Sequence, residues 1–154
     1  MRATILLFTT SLSLFSQAQT IELGKGINLT AEVVAFDPTQ HSIKRCPILN
    51  WEPQPICLID GKPYFGSDLD SKTPRDHFRS LAIDIAGIRT DLDVSGMFNV
   101  SSDGLIHPGQ FEIAPVEGGH ELNGFFSDGA GVYTVTWRIM AGGAIRTELK
   151  EAEH

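Results

Sequence analysis

Three aspartates, Asp68, Asp70 and Asp76, are the residues of this sequence whose spacing is most suggestive of a binding site. Carboxylates placed this closely in a polar segment are the ligands that a calcium ion uses in an exposed loop. The EF-hand pattern is not met, however, because Thr73 stands where that loop requires glycine and Arg79 where it requires glutamate. The sequence therefore leaves two alternatives, an irregular calcium site and an ordinary solvated acidic loop.

Histidine and serine chemistry has little support in the sequence. The chain contains five histidines, and none of them is spaced as in an HxH or HExxH zinc motif: His41, His77, His107, His120 and His154. A triad can assemble from distant residues, but no G-x-S-x-G turn is present to carry a nucleophilic serine. We therefore predict no catalytic residues, no cofactor and no metal site, and a hydrolase with a dispersed active site is kept only as an alternative.

Cys46 and Cys57 are predicted to form a structural disulfide. Their spacing excludes a CxxC redox or zinc motif, and two cysteines in an exported protein commonly pair. The enclosed segment contains three prolines and therefore cannot form regular secondary structure. Trp51 lies in its centre, where it either pins the loop to the core or serves as an exposed anchor for a partner.

Export is predicted from the first 18 residues, which have the pattern of a secretory signal peptide. Arg2 gives the positive start, residues 3–15 are largely apolar, and Ser16-Gln17-Ala18 is a small-x-small cleavage site. The apolar run is too short to span a bilayer, so no membrane anchor is predicted. Residues 19–154 are then expected to form a single β-rich domain in the periplasm or outside the cell.

The chain is acidic, with a formal net charge of −7 that becomes −8 when Arg2 is removed with the signal peptide. An acidic exported domain is poorly suited to nucleic acid or to anionic membrane surfaces, because like charges repel. It is better suited to a basic protein partner. The ordinary alternative is that the charge only keeps the protein in solution.

The segment that must position these residues is organised around Phe125–Ile139. Tyr133, Val135, Trp137 and Ile139 alternate with polar residues, and this period of two is typical of a half-buried antiparallel strand. We therefore predict that this segment is a hairpin and that Trp137 belongs to the core.

Short alternating runs separated by turn signals occur along the rest of the chain. They predict an all-β fold, an antiparallel β-sandwich or small barrel of about eight strands with one disulfide. Asp60-Gly61 between apolar runs predicts a hairpin, and Pro63 confines its second arm to a sheet edge. Residues 19–26 are predicted to be a polar, glycine-containing lead-in before the first strand, residues 27–36.

The Phe125–Ile139 run has the pattern F-x-S-D-G-A-G-x-Y-x-x-x-W-x-I, and it is preceded by Ile59–Pro63 and by Leu92–Asn99. In these runs the chain resembles a group of small uncharacterised exported bacterial proteins, over roughly residues 56–149. The resemblance implies a bacterial source and a periplasmic route. It implies no activity and no site residues.

The leading functional hypothesis is a periplasmic or secreted protein-binding module, an inhibitor or immunity protein that blocks a basic toxin or cell-wall hydrolase. The alternative is a β domain that binds calcium or a small ligand. Binding sites on β scaffolds lie mostly on the longer loops. The predicted partner contacts are Trp51, Tyr64, Phe65, Asp68, Asp70 and Asp76.

Overall fold

The computed structural model describes residues 18–66, 72–101, 103–126 and 131–152, and in these ranges the chain is all-β. Two short 3₁₀ turns, Pro38–Gln40 and Pro108–Gln110, interrupt the strands. The strands are β1 Ala18–Gly24, β2 Ile27–Ala35, β3 Ile43–Arg45, β4 Ile56–Ile59, β5 Lys62–Pro63, β6 Asp76–Ile85, β7 Ile88–Asp91, β8 Phe111–Val116, β9 Gly119–Phe126, β10 Tyr133–Met140 and β11 Gly143–Glu151.

Two four-stranded antiparallel sheets face each other. Their strand orders are β1-β2-β6-β7 and β11-β10-β9-β8, and β1 lies near β8 while β7 lies near β11. Both sheets contribute to one apolar core, which contains Leu29 of β2, Ile83 of β6, Leu122 of β9 and Trp137 of β10. We call this pair of sheets the sandwich. It confirms the predicted all-β antiparallel class.

Strand β10 lies in the middle of its sheet, between β9 and β11. Tyr133, Val135 and Trp137 are fully buried and Ile139 is nearly so, which confirms the alternation seen in the sequence. The polar ends of the two large rings have partners, because Trp137 Nε1 donates to the carbonyl of Asp93 at 2.9 Å and the Tyr133 hydroxyl donates to another main-chain carbonyl. The central strand is therefore both densely packed and free of unpaired ring donors.

The third sheet, β3-β4-β5, is much smaller, and we call it the small sheet. Asp60 and Gly61 connect β4 to β5 with φ values of 52° and 75°, the left-handed pair that a tight hairpin turn requires. Both the predicted hairpin and the edge position of Pro63 are confirmed. The small sheet has its own apolar cluster, separate from the core of the sandwich: Phe36, Ile56, Ile59, Tyr64 and Phe98, with Ile43 packed against it.

The described residues contain more strands than the eight or so expected. The predicted lead-in is wrong, because Ala18–Gly24 pairs with β2 as a regular edge strand. Strands β3 and β5 contain three and two residues, which is too short for any periodicity to show. Residues 1–17 of the predicted signal peptide lie outside the described residues. Within the described ranges the chain contains no helix with the length and apolar character that a membrane crossing needs.

Candidate functional site: the disulfide loop

The predicted bridge between Cys46 and Cys57 is present, with the two Cα atoms 5.7 Å apart. It joins the residue that follows β3 to the second residue of β4, so it ties together two neighbouring strands of the small sheet. The main-chain N–H of Cys46 also donates to the carbonyl of Pro55 at 3.0 Å. Residues 46–57, the disulfide loop, are thus closed at their base by a covalent bond and by a hydrogen bond.

The side chain of Gln54 organises the interior of the loop. Its Oε1 accepts from the N–H of Ile48 at 2.5 Å, and its Nε2 donates to the carbonyl of Trp51 at 2.6 Å and to Glu52 Oε1 at 3.0 Å. Arg45 reaches in from β3 and donates to the carbonyl of Gln54. A single amide therefore replaces the hydrogen bonds that a proline-rich segment cannot make within a sheet.

Three apolar side chains near the middle of the loop face outward, whereas Ile56 near its end is buried. Leu49 is 90% exposed, Ile48 is 42% exposed and Trp51 is 40% exposed. Single exposed apolar residues are common on protein surfaces, but here three lie within four positions of one braced loop. We call Ile48, Leu49 and Trp51 the apolar tip. Part of the Trp51 ring is at the surface, and the two alternatives for this residue both stay open.

Replacement of Gln54 by alanine is expected to loosen the loop while the sandwich stays folded. The loss of its side-chain hydrogen bonds should lower the local free energy of opening by about 1–2 kcal/mol, since each bond contributes about 0.5–1.5 kcal/mol. Amide hydrogen exchange of residues 46–57 measures this change. Exchange of β9 and β10 is the internal control, and equal acceleration in both regions would contradict a local role for Gln54.

Three of the other predicted contacts lie in the described residues, and they are held by the fold. Tyr64 is only 8% exposed, and its hydroxyl accepts from Asn99 Nδ2 at 3.1 Å. Phe65 is half-buried and packs against the core of the sandwich. Asp76 accepts from the main-chain N–H of Val100 at 2.7 Å and from the hydroxyl of Ser101 at 2.6 Å. Tyr64 and Asp76 therefore serve the packing of the protein and offer little surface to a partner.

The acidic segment that suggested a calcium site lies only partly within the described residues. Asp68 and Asp70 lie outside the described residues, and the carboxylate of Asp76 is already engaged by Val100 and Ser101. Among the side chains that the structure describes, no three His, Cys, Asp or Glu residues are grouped closely enough to hold a metal ion.

A second group of polar residues, which the sequence did not bring together, lies beside the small sheet. His41 Nδ1 lies 2.7 Å from Asp60 Oδ2, and the His41 ring stacks on Phe36 with ring centroids 4.5 Å apart. The ring of His77 packs edge-on against the His41 ring, with the two ring centroids 5.6 Å apart. Both histidines line a cleft of about 460 Å³ between the small sheet and the segment that follows β7.

His77 is the unusual member of this group. Its Nδ1 is buried and has no hydrogen-bond partner among the described residues. Burial, and then the neighbouring charge of His41, hold the pKa of His77 below its ordinary value. On the other side, the hydrogen bond from His41 holds the pKa of the Asp60 carboxyl below its ordinary range. The two histidines therefore sit in contrasting surroundings although their rings touch.

No protein-family model matches this chain, and comparisons with characterised proteins and with solved structures give no match either.

Proposed function

We propose that this chain is an exported protein-binding module and that the apolar tip of the disulfide loop enters a recess on its partner. The observation that supports this proposal is the combination of exposed Ile48, Leu49 and Trp51 with a loop that is already fixed by the disulfide and by Gln54. A loop that is rigid before binding loses little conformational freedom on association. Tryptophan is also among the residues that contribute most to protein interfaces.

The partner we propose is a basic protein, either a toxin or a cell-wall hydrolase, and the chain would act as its inhibitor or immunity protein. The support for this choice is the formal net charge of −7, because opposite charges accelerate encounter and disfavour wrong partners. The periplasm or the exterior is the proposed location. A disulfide is typical of such oxidising compartments.

Replacement of Leu49 by aspartate is expected to weaken partner binding by at least about tenfold, because a carboxylate would be carried into an apolar recess without a partner. Trp51→Ala is expected to have a similar or larger effect through the lost ring contacts. Binding is measured by calorimetry against purified basic cell-wall hydrolases and toxins of the source organism at low salt. Hydrolysis of peptidoglycan in the presence of each variant reports inhibition.

The matched control is Leu105→Asp. Leu105 is 49% exposed and lies in another loop, next to Ile106, whose N–H donates to Gln19 Oε1 at 2.9 Å. Leu105→Asp adds the same negative charge at an exposed leucine outside the apolar tip, so this variant should bind the partner as tightly as the wild-type protein. The proposal is refuted if Leu49→Asp binds as tightly as wild type, or if the wild-type protein neither binds nor inhibits any of these proteins.

A further inference from the structure

We propose that the contact between His41 and His77 is an acid-sensitive latch, which holds the small sheet and its disulfide loop on the sandwich at neutral pH and releases them in mild acid. The inference concerns regulation of the binding surface and rests on the proposed function for its biological role. Its physical basis is independent of any partner. It begins with the position of His77 on β6.

Strand β6 presents its two faces to two different clusters. Phe78 is buried in the core of the sandwich, whereas the preceding residue, His77, points to the opposite face, as neighbours in a strand do. There its ring lies against Phe36 at 6.0 Å and against Phe98 at 6.3 Å. Phe36 and Phe98 both belong to the apolar cluster of the small sheet. His77 is thus a side chain of β6 that packs against that cluster.

A proton on His77 would be poorly accommodated at this position. The ring has a buried Nδ1 with no acceptor in the described part of the chain, so the charged form would leave a donor and a charge unpaired among aromatic rings. The coulombic effect of His41, whose ring lies 5.6 Å away, adds to this cost.

The surrounding charges do not remove this conflict. Arg79 on β6 opposes a positive His77, and Asp76 on the same strand favours it. The Asp76 carboxylate, however, is already bound by Val100 and Ser101. The charged residues that line the adjoining cleft come from the β4–β5 turn, from β5 and from the segment after β7, and they are Asp60, Lys62 and Asp93. Besides His41, the rings that lie against His77 are those of Phe36 and Phe98, and neither carries a charge.

The sign of the expected pH dependence follows from the lowered pKa of His77. We call the state with the small sheet packed on the sandwich closed, and the state in which it is released open. At a pH above the ordinary pKa of 6.5, His77 is neutral in both states and does not affect their relative stability. As the pH falls below that value, the open state takes up a proton that the closed state does not, so the closed state loses stability. The loss ends once the pH is below the lowered pKa of the closed state. Opening in mild acid is the direction that this predicts.

The latch is tested by amide hydrogen exchange, corrected for intrinsic rates, between about pH 7.5 and about pH 5, a range in which histidine titrates and most carboxylates do not. The reporters are the N–H groups of Cys46, Asp60 and Tyr64, which are hydrogen-bonded within the small sheet. Their protection should fall measurably in acid, because the closed state loses stability as the open state takes up a proton on His77. The amides of β9 and β10 should keep their protection.

Two variants and one direct titration decide the outcome. His77→Phe keeps an aromatic ring and should abolish the pH dependence, whereas His107→Gln, at a histidine that is 51% exposed, should leave it intact. In the wild-type protein, the imidazole resonances of His77 should titrate together with the amide shifts of the disulfide loop, which covers the case in which His77→Phe does not fold. Unchanged protection of the small sheet in acid, or the same pH dependence in His77→Phe, would overturn the latch. None of these readouts uses a partner, so they stay separate from the binding test at Leu49.

Discussion

Replacement of Trp137 by alanine is expected to lower the free energy of unfolding by about 3–5 kcal/mol, the usual range for truncating a large buried aromatic residue. Trp137 is fully buried at the centre of β10, between two paired strands, where the surrounding backbone has little freedom to close the cavity. The change also removes the donor to the carbonyl of Asp93. The lost packing and the lost hydrogen bond act in the same direction.

Urea denaturation followed by far-ultraviolet circular dichroism measures this loss without relying on the fluorescence of the deleted ring. Trp137→Phe keeps most of the volume and removes the indole donor, so it should cost about 1–3 kcal/mol. Met140→Ala is the matched surface control, because Met140 lies in the same strand and is 40% exposed. A loss at Trp137 no larger than the loss at Met140 would contradict the central position of this ring.

The strands of the sandwich could be predicted from the sequence wherever a strand was long enough to show alternating apolar and polar side chains. The period of two in Tyr133–Ile139 already separates buried from outward-facing side chains, and the structure confirms it residue by residue. The Asp60-Gly61 turn was equally readable because few residue pairs accept two left-handed backbone conformations. Strand β1 was missed because Gln19, Thr20 and Glu22 dilute its pattern, and an edge strand needs only one partner.

The candidate site was predictable only in part, because the apolar residues of a loop follow no regular spacing in the sequence. The disulfide and the choice of Trp51 as a candidate contact followed from residue type and from the predicted signal peptide. The exposure of Leu49 and the bracing role of Gln54 depend on which way individual groups point inside an irregular loop. The meeting of His41 and His77 depends on the small sheet, whose strands are too short to recognise in a sequence.

The structure also divides the stabilising contacts between two clusters. One fills the sandwich and contains Trp137, and the other lies under the small sheet and contains Phe36, Tyr64 and Phe98. The disulfide belongs to the small sheet. Local stability in proteins often follows such a division, since segments with fewer buried contacts open at lower free energy. The disulfide and Trp137 are therefore expected to stabilise different units of the protein.

Removal of the disulfide by the paired substitutions Cys46→Ala and Cys57→Ala is the second large effect we expect. Closing a flexible loop of this length would contribute about 3 kcal/mol through the unfolded chain. The three prolines of the loop already restrict that chain, so the expected loss is smaller, about 1–3 kcal/mol. The loss should appear mainly as faster hydrogen exchange at Asp60 and Tyr64, with a smaller shift of the urea midpoint.

Combining the paired cysteine substitutions with Trp137→Ala tests whether the two clusters are independent. Sites without shared contacts usually add within about 0.5 kcal/mol, so the triple variant should show the sum of the two losses. Reduced wild-type protein is the control for the cysteine substitutions and should match their exchange pattern. Strong non-additivity would show that the small sheet and the sandwich are energetically coupled, although their apolar clusters are separate. Opening of the small sheet at the contact between His41 and His77 would then also disturb the sandwich.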